Sequence, residues 1–282
     1  MRVQSMKLNY SDRVVVVTGG SSGLGAALAE RIAARGAKLA IIARDATKLE
    51  ATASALRRTG ATQVLACPCD VADEARVLAT FERIRGELGA PWMVINSAGV
   101  LLEGYFHEQS AQAFRDIFDI NFFGALNVCR ASVDDLESSQ GHLVNVASVG
   151  GLMGAFGYSA YCASKHALCG LTEVLEQELV PRGVHTHLVC PPEFASPMTD
   201  GLDDRRTPEN QAITHSIKPM SLEAVTNSTL AGLDRGDHLI VTGAAARTTV
   251  RFSRWCPGLT ARIARSRIAR VYRGPARAVR PR

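Results

Sequence analysis

A doubly wound α/β domain with a basic C-terminal extension is the fold class that this 282-residue chain predicts. Three observations carry that expectation. Short apolar runs alternate with longer helical patterns along most of the chain, and such alternation builds a parallel sheet covered by helices. The first run, RVVVV at 13–17, has the β-branched character of a strand buried on both faces. A glycine-rich stretch, TGGSSGLG from Thr18 to Gly25, then leads directly into the helical segment AALAERIAARG. The length allows one or two domains. With no long linker and no internal repeat, one domain is expected over 1–243, followed by an extension over 244–282.

The elements follow in order. After RVVVV, the next strands are KLAIIA near 38–42, QVLAC at 63–67, WMVIN at 92–96, HLVNVA at 142–147, VHTHLVC at 184–190 and HLIVT at 238–242. Helical patterns occupy 23–35, 45–58, 73–88, 110–135 and 159–180 between them. The turn after the first strand spaces Gly19, Gly23 and Gly25 by three residues and then one. Glycines let a backbone approach a pyrophosphate, and a helix N-terminus offers it free N–H groups and a positive dipole end. Gly19, Ser21, Ser22, Gly23, Leu24 and Gly25 are therefore candidate phosphate-side residues, with an ordinary tight turn as the alternative.

Tyr161 and Lys165 stand four residues apart in YCASKHAL, so they share one helix face. An ammonium beside a phenol favours the phenolate, which predicts a tyrosine pKa below its ordinary value of about 10. Ser148, thirteen residues upstream, can hold a substrate oxygen. The set suits proton transfer to a carbonyl while a hydride arrives from elsewhere. Alone, YxxxK also fits a solvated helix face.

TGxxxGxG at Thr18–Gly25, N-x-A-G at Asn96–Gly99, and a Ser, Tyr and Lys in this order resemble the short-chain dehydrogenase/reductase family. The resemblance runs from Val14 to about Gly243. It implies a Rossmann fold, with Tyr161 as proton donor and Ser148 bonding the substrate oxygen. Lys165 would lower the tyrosine pKa and hold the nicotinamide ribose. Asn121, in DINFFGAL, matches the family's fourth catalytic position and would anchor a water chain. Asn96, Ala98, Gly99, Pro191 and Ser196 fall at cofactor-contact positions, and Asp70-Val71 at the adenine contact. Ser97 departs from the family's second asparagine. A homodimer or homotetramer, paired through the helices holding Asn121 and Tyr161, is also implied.

Arg44 follows the second strand where this fold meets the adenosine ribose. A guanidinium there suits the 2′-phosphate of NADP(H), and Lys48 adds a second charge. Ordinary surface charge is the alternative. After the sixth strand, CPPEFASPM has Pro192 in place of the family's glycine and Ser196 in place of its threonine. The polar stretch from Asp200 to Pro219, within a substrate segment near 192–220, is expected to be a mobile lid. PPE…SP, RRTPENQ and GLMGAFGYSAYCASKHAL resemble the branch that includes 3-ketodihydrosphingosine reductases. Leu101, Leu102, Leu152, Met153, Phe156, Phe194 and Met198 would line a mouth for a lipid substrate, or simply pack locally. The expected activity is NADPH-dependent reduction of a keto group on a hydrophobic substrate. The alternatives are another family oxidoreductase, acting on a steroid or small alcohol, and a non-catalytic NADP-binding sensor or scaffold.

Seven cysteines read as small buried hydrophobes in a reducing compartment. Cys67-Pro68-Cys69 lacks metal-site spacing, so no metal is expected. There is no signal-peptide pattern and no run of about 18 apolar residues, so a cytoplasmic enzyme is expected. Residues 244–282 hold eleven arginines and no Asp, Glu or Lys. With the whole chain at +5, residues 1–243 carry −6. Phe252, Trp255, Leu259, Ile263, Ile268, Val271 and Tyr272 recur among the arginines, and Pro257-Gly258 should split the stretch in two. An amphipathic segment on an anionic membrane surface is the favoured reading. A solvated or body-packed tail competes with it. Nucleic acid is not expected, because no recognition motif accompanies the charge.

Overall fold

The computed structural model describes residues 7–215 and 218–273. Seven strands form one parallel sheet in the order β3-β2-β1-β4-β5-β6-β7. They are β1 Val14–Thr18, β2 Lys38–Ala43, β3 Gln63–Pro68, β4 Met93–Asn96, β5 His142–Val146, β6 His185–Cys190 and β7 Leu239–Val241. Strand order reverses between β1 and β4. Their C-terminal ends open a crevice there, the place where such sheets hold ligands.

Side chains alternate between two layers, as the two-residue strand period requires. Val15, Val17, Leu39, Ile41 and Ile95 face helices α1 (Gly23–Ala33), α2 (Ala46–Thr59) and, later in the chain, α9 (Leu222–Arg235). Val14, Val16, Ile42 and Val94 face α3 (Glu74–Leu88) and α5 (Gly124–Ser139), where Phe81, Ile84, Val128 and Leu136 fill the space. Burial on both faces explains why β1 reads as an unbroken apolar run. Aspartates start two of the helices. Asp45 Oδ1 accepts Lys48 N–H and Asp73 Oδ1 accepts Arg76 N–H.

The expected helix over 110–135 is interrupted. It comprises α4 (Ala111–Phe118), a π-turn at Asp119–Phe123, and α5. Such widened turns gather at functional positions. Beyond α6 (Ser159–Leu179), the segment expected to be a mobile polar lid instead contains helices α7 (Leu202–Arg205) and α8 (Pro208–Thr214). The basic extension breaks where expected, into α10 (Ala244–Trp255) and α11 (Pro257–Arg273). α10 packs on the body: Ala246 and Val250 join Leu168, Leu188, Cys190 and Val241 in a third apolar cluster. Arg277, Arg280 and Arg282 lie outside the described residues.

Candidate active site

The glycine-rich turn owes its shape to close backbone contact. Thr18 Oγ1 accepts the N–H groups of Ser97 and Ala98, each at 3.1 Å, which joins the ends of β1 and β4. Gly19 has φ +67°, and a Cβ there would meet Ser97 and Ala98 backbone at 2.9 Å. A Cβ on Gly25 would lie 2.5 Å from the Gly19 carbonyl oxygen. Ser22, at the N-cap of α1, makes no side-chain cap bond. A bare helix N-terminus behind a side-chain-free turn fits the pyrophosphate of a dinucleotide.

This turn forms one wall of a cavity of about 280 Å³. Gly19, Ser22, Gly23, Leu24, Gly25, Ser97, Gly99, Ser148, Tyr161, Lys165, Pro191 and Ser196 line it together. Sequence-distant candidates thus meet on one surface. Leu101, Met153, Phe194 and Met198 supply apolar lining, while Leu102, Leu152 and Phe156 do not reach it. Leu152 packs on the third apolar cluster, and Phe156 makes an edge contact with Tyr105.

Lys165 is 5% exposed, and its Nζ donates to the Val146 carbonyl at 2.9 Å. This contact corrects the expected pairing of ammonium with phenol. Burial pushes the Tyr161 phenol up to about 12, opposed by a hydrogen bond with Ser148, rather than down. Burial also draws Lys165 down to about 8, with the Cys169 and Cys190 thiols opposing. Ser148 Oγ accepts Gly150 N–H at 3.0 Å, shares a hydrogen bond with the Tyr161 phenol and has a long contact, 3.5 Å, to the Pro191 carbonyl.

Asn121 sits fully buried in the π-turn. Its Oδ1 accepts Val100 N–H at 2.8 Å, and its Nδ2 donates to Val100 O and Ser164 Oγ. Both amide hydrogens are engaged, so its side chain holds the loop after β4. Gly99 is small for a reason. A Cβ there would lie 3.2 Å from Asn121 Oδ1 and 3.5 Å from Lys165 Nζ.

Other candidates lie off the cavity lining. Arg44 and Lys48 are exposed just past β2, with Lys48 Nζ 3.7 Å from Asp45. Asp70 Oδ1 accepts Ala72 N–H, and Val71 packs on Gly124. The Asn96 amide turns into the sheet and donates to Asn145 Oδ1 at 2.9 Å. Ala98 contributes backbone through Thr18, and Ser21 O lies 3.4 Å from Thr52 Oγ1.

Sequence reading missed the network that seats α7 and α8. The Arg206 side chain is 1% exposed and forks onto both carboxylate oxygens of Glu193, at 2.8 and 2.9 Å. It also donates to Asn210 and Thr214. Thr207 Oγ1 donates to Glu103, and Tyr105 Oη to Glu209. Glu193 and Thr214 themselves line the cavity. The run DDRRT gives no sign of this, because surface and buried arginines look alike in sequence.

The model of the family described as short chain dehydrogenase matches residues 13–207. The chain belongs to this family. As a short-chain dehydrogenase it is an oxidoreductase. It is 31% identical to 3-ketodihydrosphingosine reductase of Dictyostelium discoideum over 87% of this chain and 78% of that one. It is 34% identical to 3-dehydrosphinganine reductase of Danio rerio over 68% of this chain and 59% of that one. A 3-oxoacyl-[acyl-carrier-protein] reductase of Bos taurus matches at 35% over 71% and 83%. Among solved structures, a short chain dehydrogenase/reductase from Burkholderia phymatum in complex with NAD superposes with a TM-score of 0.80. It is 28% identical and covers 89% of this chain and 96% of its own. A Sphingobium yanoikuyae short-chain dehydrogenase in complex with NADPH gives 0.74 at 28% identity, covering 88% and 95%.

Proposed function

We propose that this protein reduces a keto group on a hydrophobic, lipid-like substrate with NADPH. The observation that carries the reading is the single cavity, which joins Ser148, Tyr161 and Lys165 to the glycine-rich turn on one side and to Leu101, Met153, Phe194 and Met198 on the other. A bound nicotinamide cofactor would supply the hydride. Gly19 to Gly25 and the start of α1 would take its pyrophosphate, and exposed Arg44 the 2′-phosphate. The Ser148 hydroxyl, beside the Tyr161 phenol and only loosely held by Pro191 O, turns to the substrate carbonyl oxygen. Tyr161 keeps its proton through the neutral range and gives it to that oxygen as the carbon is reduced. Lys165, fixed on Val146 O, places its charge beside the cavity, and Asn121 positions the wall that holds Gly99. The protein would work in the cytoplasm as a homodimer or homotetramer, with its basic C-terminal helices at an anionic membrane surface.

The relatives named for sphingoid ketones support a long-chain substrate, whereas the 3-oxoacyl reductase relative keeps other keto substrates as a second reading. NADPH consumption with long-chain 2-amino-3-ketones, 3-oxoacyl thioesters and steroid ketones tests the choice. The expected result is the highest kcat/KM on the long-chain amino ketone. No turnover of any ketone would overturn the assignment.

A further inference from the structure

Helices α10 and α11 carry features that the reduction chemistry leaves unused. The inner face of α10 is anchored by Ala246 and Val250, and Thr249 beside them lines the cavity. Its outer side sets the exposed Arg251 and Arg254 beside Trp255, which is 87% exposed, and Phe252, whereas Arg247 turns back to donate to the Val241 carbonyl at 3.2 Å. α11 packs against α8, whose Ile213 and Thr214 line the same cavity. Its outer stripe holds Leu259, Ile263 and Arg270, flanked by Arg262, Arg265 and Arg273, all exposed.

Residues 244–273 contain no carboxylate. Among the described residues, Arg251, Arg254, Arg262, Arg265, Arg270 and Arg273 take part in no ion pair. A tail that packed on the acidic body through its charges would pair them. Here the packed face is apolar and the charges point outward. Interleaved Trp255, Phe252, Leu259 and Ile263 make poor partners for a nucleic-acid backbone. They fit the headgroup boundary of a bilayer, where guanidinium groups meet lipid phosphates and apolar side chains sink among acyl chains.

We infer that α10 and α11 form a docking face for an anionic lipid bilayer and that docking delivers a bilayer-borne ketone to the cavity. One helix that meets the lipid walls the cavity through Thr249, and the other braces the wall helix α8. The delivery half relies on the reductase reading; docking does not.

The test uses the full chain with phosphatidylcholine vesicles, with and without phosphatidylglycerol. Sedimentation should show partition to the phosphatidylglycerol vesicles at low salt. Partition should weaken at physiological ionic strength, where the Debye length is about 8 Å. Each arginine near the surface is worth about fivefold in affinity, so replacing Arg251, Arg254, Arg262 and Arg265 together by Gln should cost a hundredfold or more, on the order of what four such contacts supply. All four side chains are exposed, and an unchanged thermal midpoint would show that the fold is kept. Trp255→Ser should remove part of the binding that survives salt.

In the same vesicles, KM for a long-chain ketone should fall for the wild type but not for the arginine variant. A water-soluble diketone should be turned over equally by both. Absence of partition at low salt, or equal partition by the arginine variant, overturns docking. Binding to duplex DNA or single-stranded RNA with vesicles ignored also overturns it. Partition with no change in KM overturns delivery. If the wild type reduces neither ketone, the reductase reading fails while sedimentation still decides docking.

Discussion

At the N-terminal ends of β5 and β6, His142 Nδ1 lies 3.0 Å from His187 Nε2, and the His142 ring stacks on His185 and meets Trp92 edge-on. His187 Nδ1 lies 2.8 Å from the Asp237 carbonyl, so it donates there, and Nε2 accepts from His142. At the other end of the same strands, Ser148, Tyr161 and Lys165 stand around an open cavity. Burial drives both groups of residues toward neutrality. His142 falls to about 3 and His187 to about 4, much as Lys165 falls to about 8. The difference is where the polar atoms point. The histidines close on each other and on backbone, so they are structure. Ser148 and Lys165 are held by backbone at one side, and with Tyr161 they face an open cavity at the other, which is what the proposed chemistry needs.

The comparison breaks first at Tyr161. Tyr161→Phe should lower kcat by about 10²–10⁴, the usual worth of a positioned general acid, while cofactor affinity measured by fluorescence titration stays unchanged. Near-normal turnover would move the proton donor elsewhere. The histidine end should instead respond in stability. Both folded pKa values lie below the ordinary 6.5, so their contribution is complete above that value and is lost as pH falls toward 4 and then 3. Protonation of the unfolded chain should cost about 3 kcal/mol by roughly pH 5.5, with two histidines contributing. His142→Asn, which keeps a donor toward His187, should flatten the acid limb of the thermal midpoint without altering kcat. An unchanged slope would show that the pair does not govern acid stability.

The pH profile sharpens the other end. Tyr161 stays protonated to about 12, so the reduction rate should not be limited by it below that. Lys165 is charged below about 8 and loses its proton above, so kcat/KM for reduction should be level at neutral pH and fall as pH rises through about 8. A profile level to pH 10 or so would remove Lys165 charge from the mechanism. The smallest effect concerns Arg44, which is exposed. Arg44→Asp should shift preference from NADPH toward NADH by about tenfold, the low end for a charge-assisted contact. Equal kcat/KM for the two cofactors in the native protein would discard that role.

Much of the fold was legible because both sheet faces are covered. RVVVV, KLAIIA and WMVIN have the pattern of buried strands, and β1, β2 and β4 begin and end within a residue of their expected bounds. The glycine turn was legible because Gly19 and Gly25 are required by contact distance. Side-chain partners across the fold were not. Spacing put Tyr161 and Lys165 on one face but could not show that the Val146 carbonyl takes the ammonium. The lid read as polar loop because Arg206, Thr207, Glu209 and Asn210 are polar, yet all four are buried through bonds to Glu193, Glu103, Tyr105 and Phe156. The histidine group left only a faint mark, the alternation of His185 and His187 in HTH.

The π-turn at Asp119–Phe123 makes this stretch a counting device. It accommodates one residue more than an α-helical path, so α4 and α5 are phased about 100° apart from a continuous helix. Removing any one residue from 119–123 would let the turn close to an ordinary helical one, with α4 and α5 staying near their present places. The loss would fall on the turn itself: Asn121 would be drawn off the Val100 backbone that it holds, while Gly124 stayed against Val71. Single substitutions at exposed positions here, such as Phe123, should be tolerated far better than a one-residue deletion. The extra residue is what carries Asn121 out to the Val100 backbone, so its cost and its use are both local.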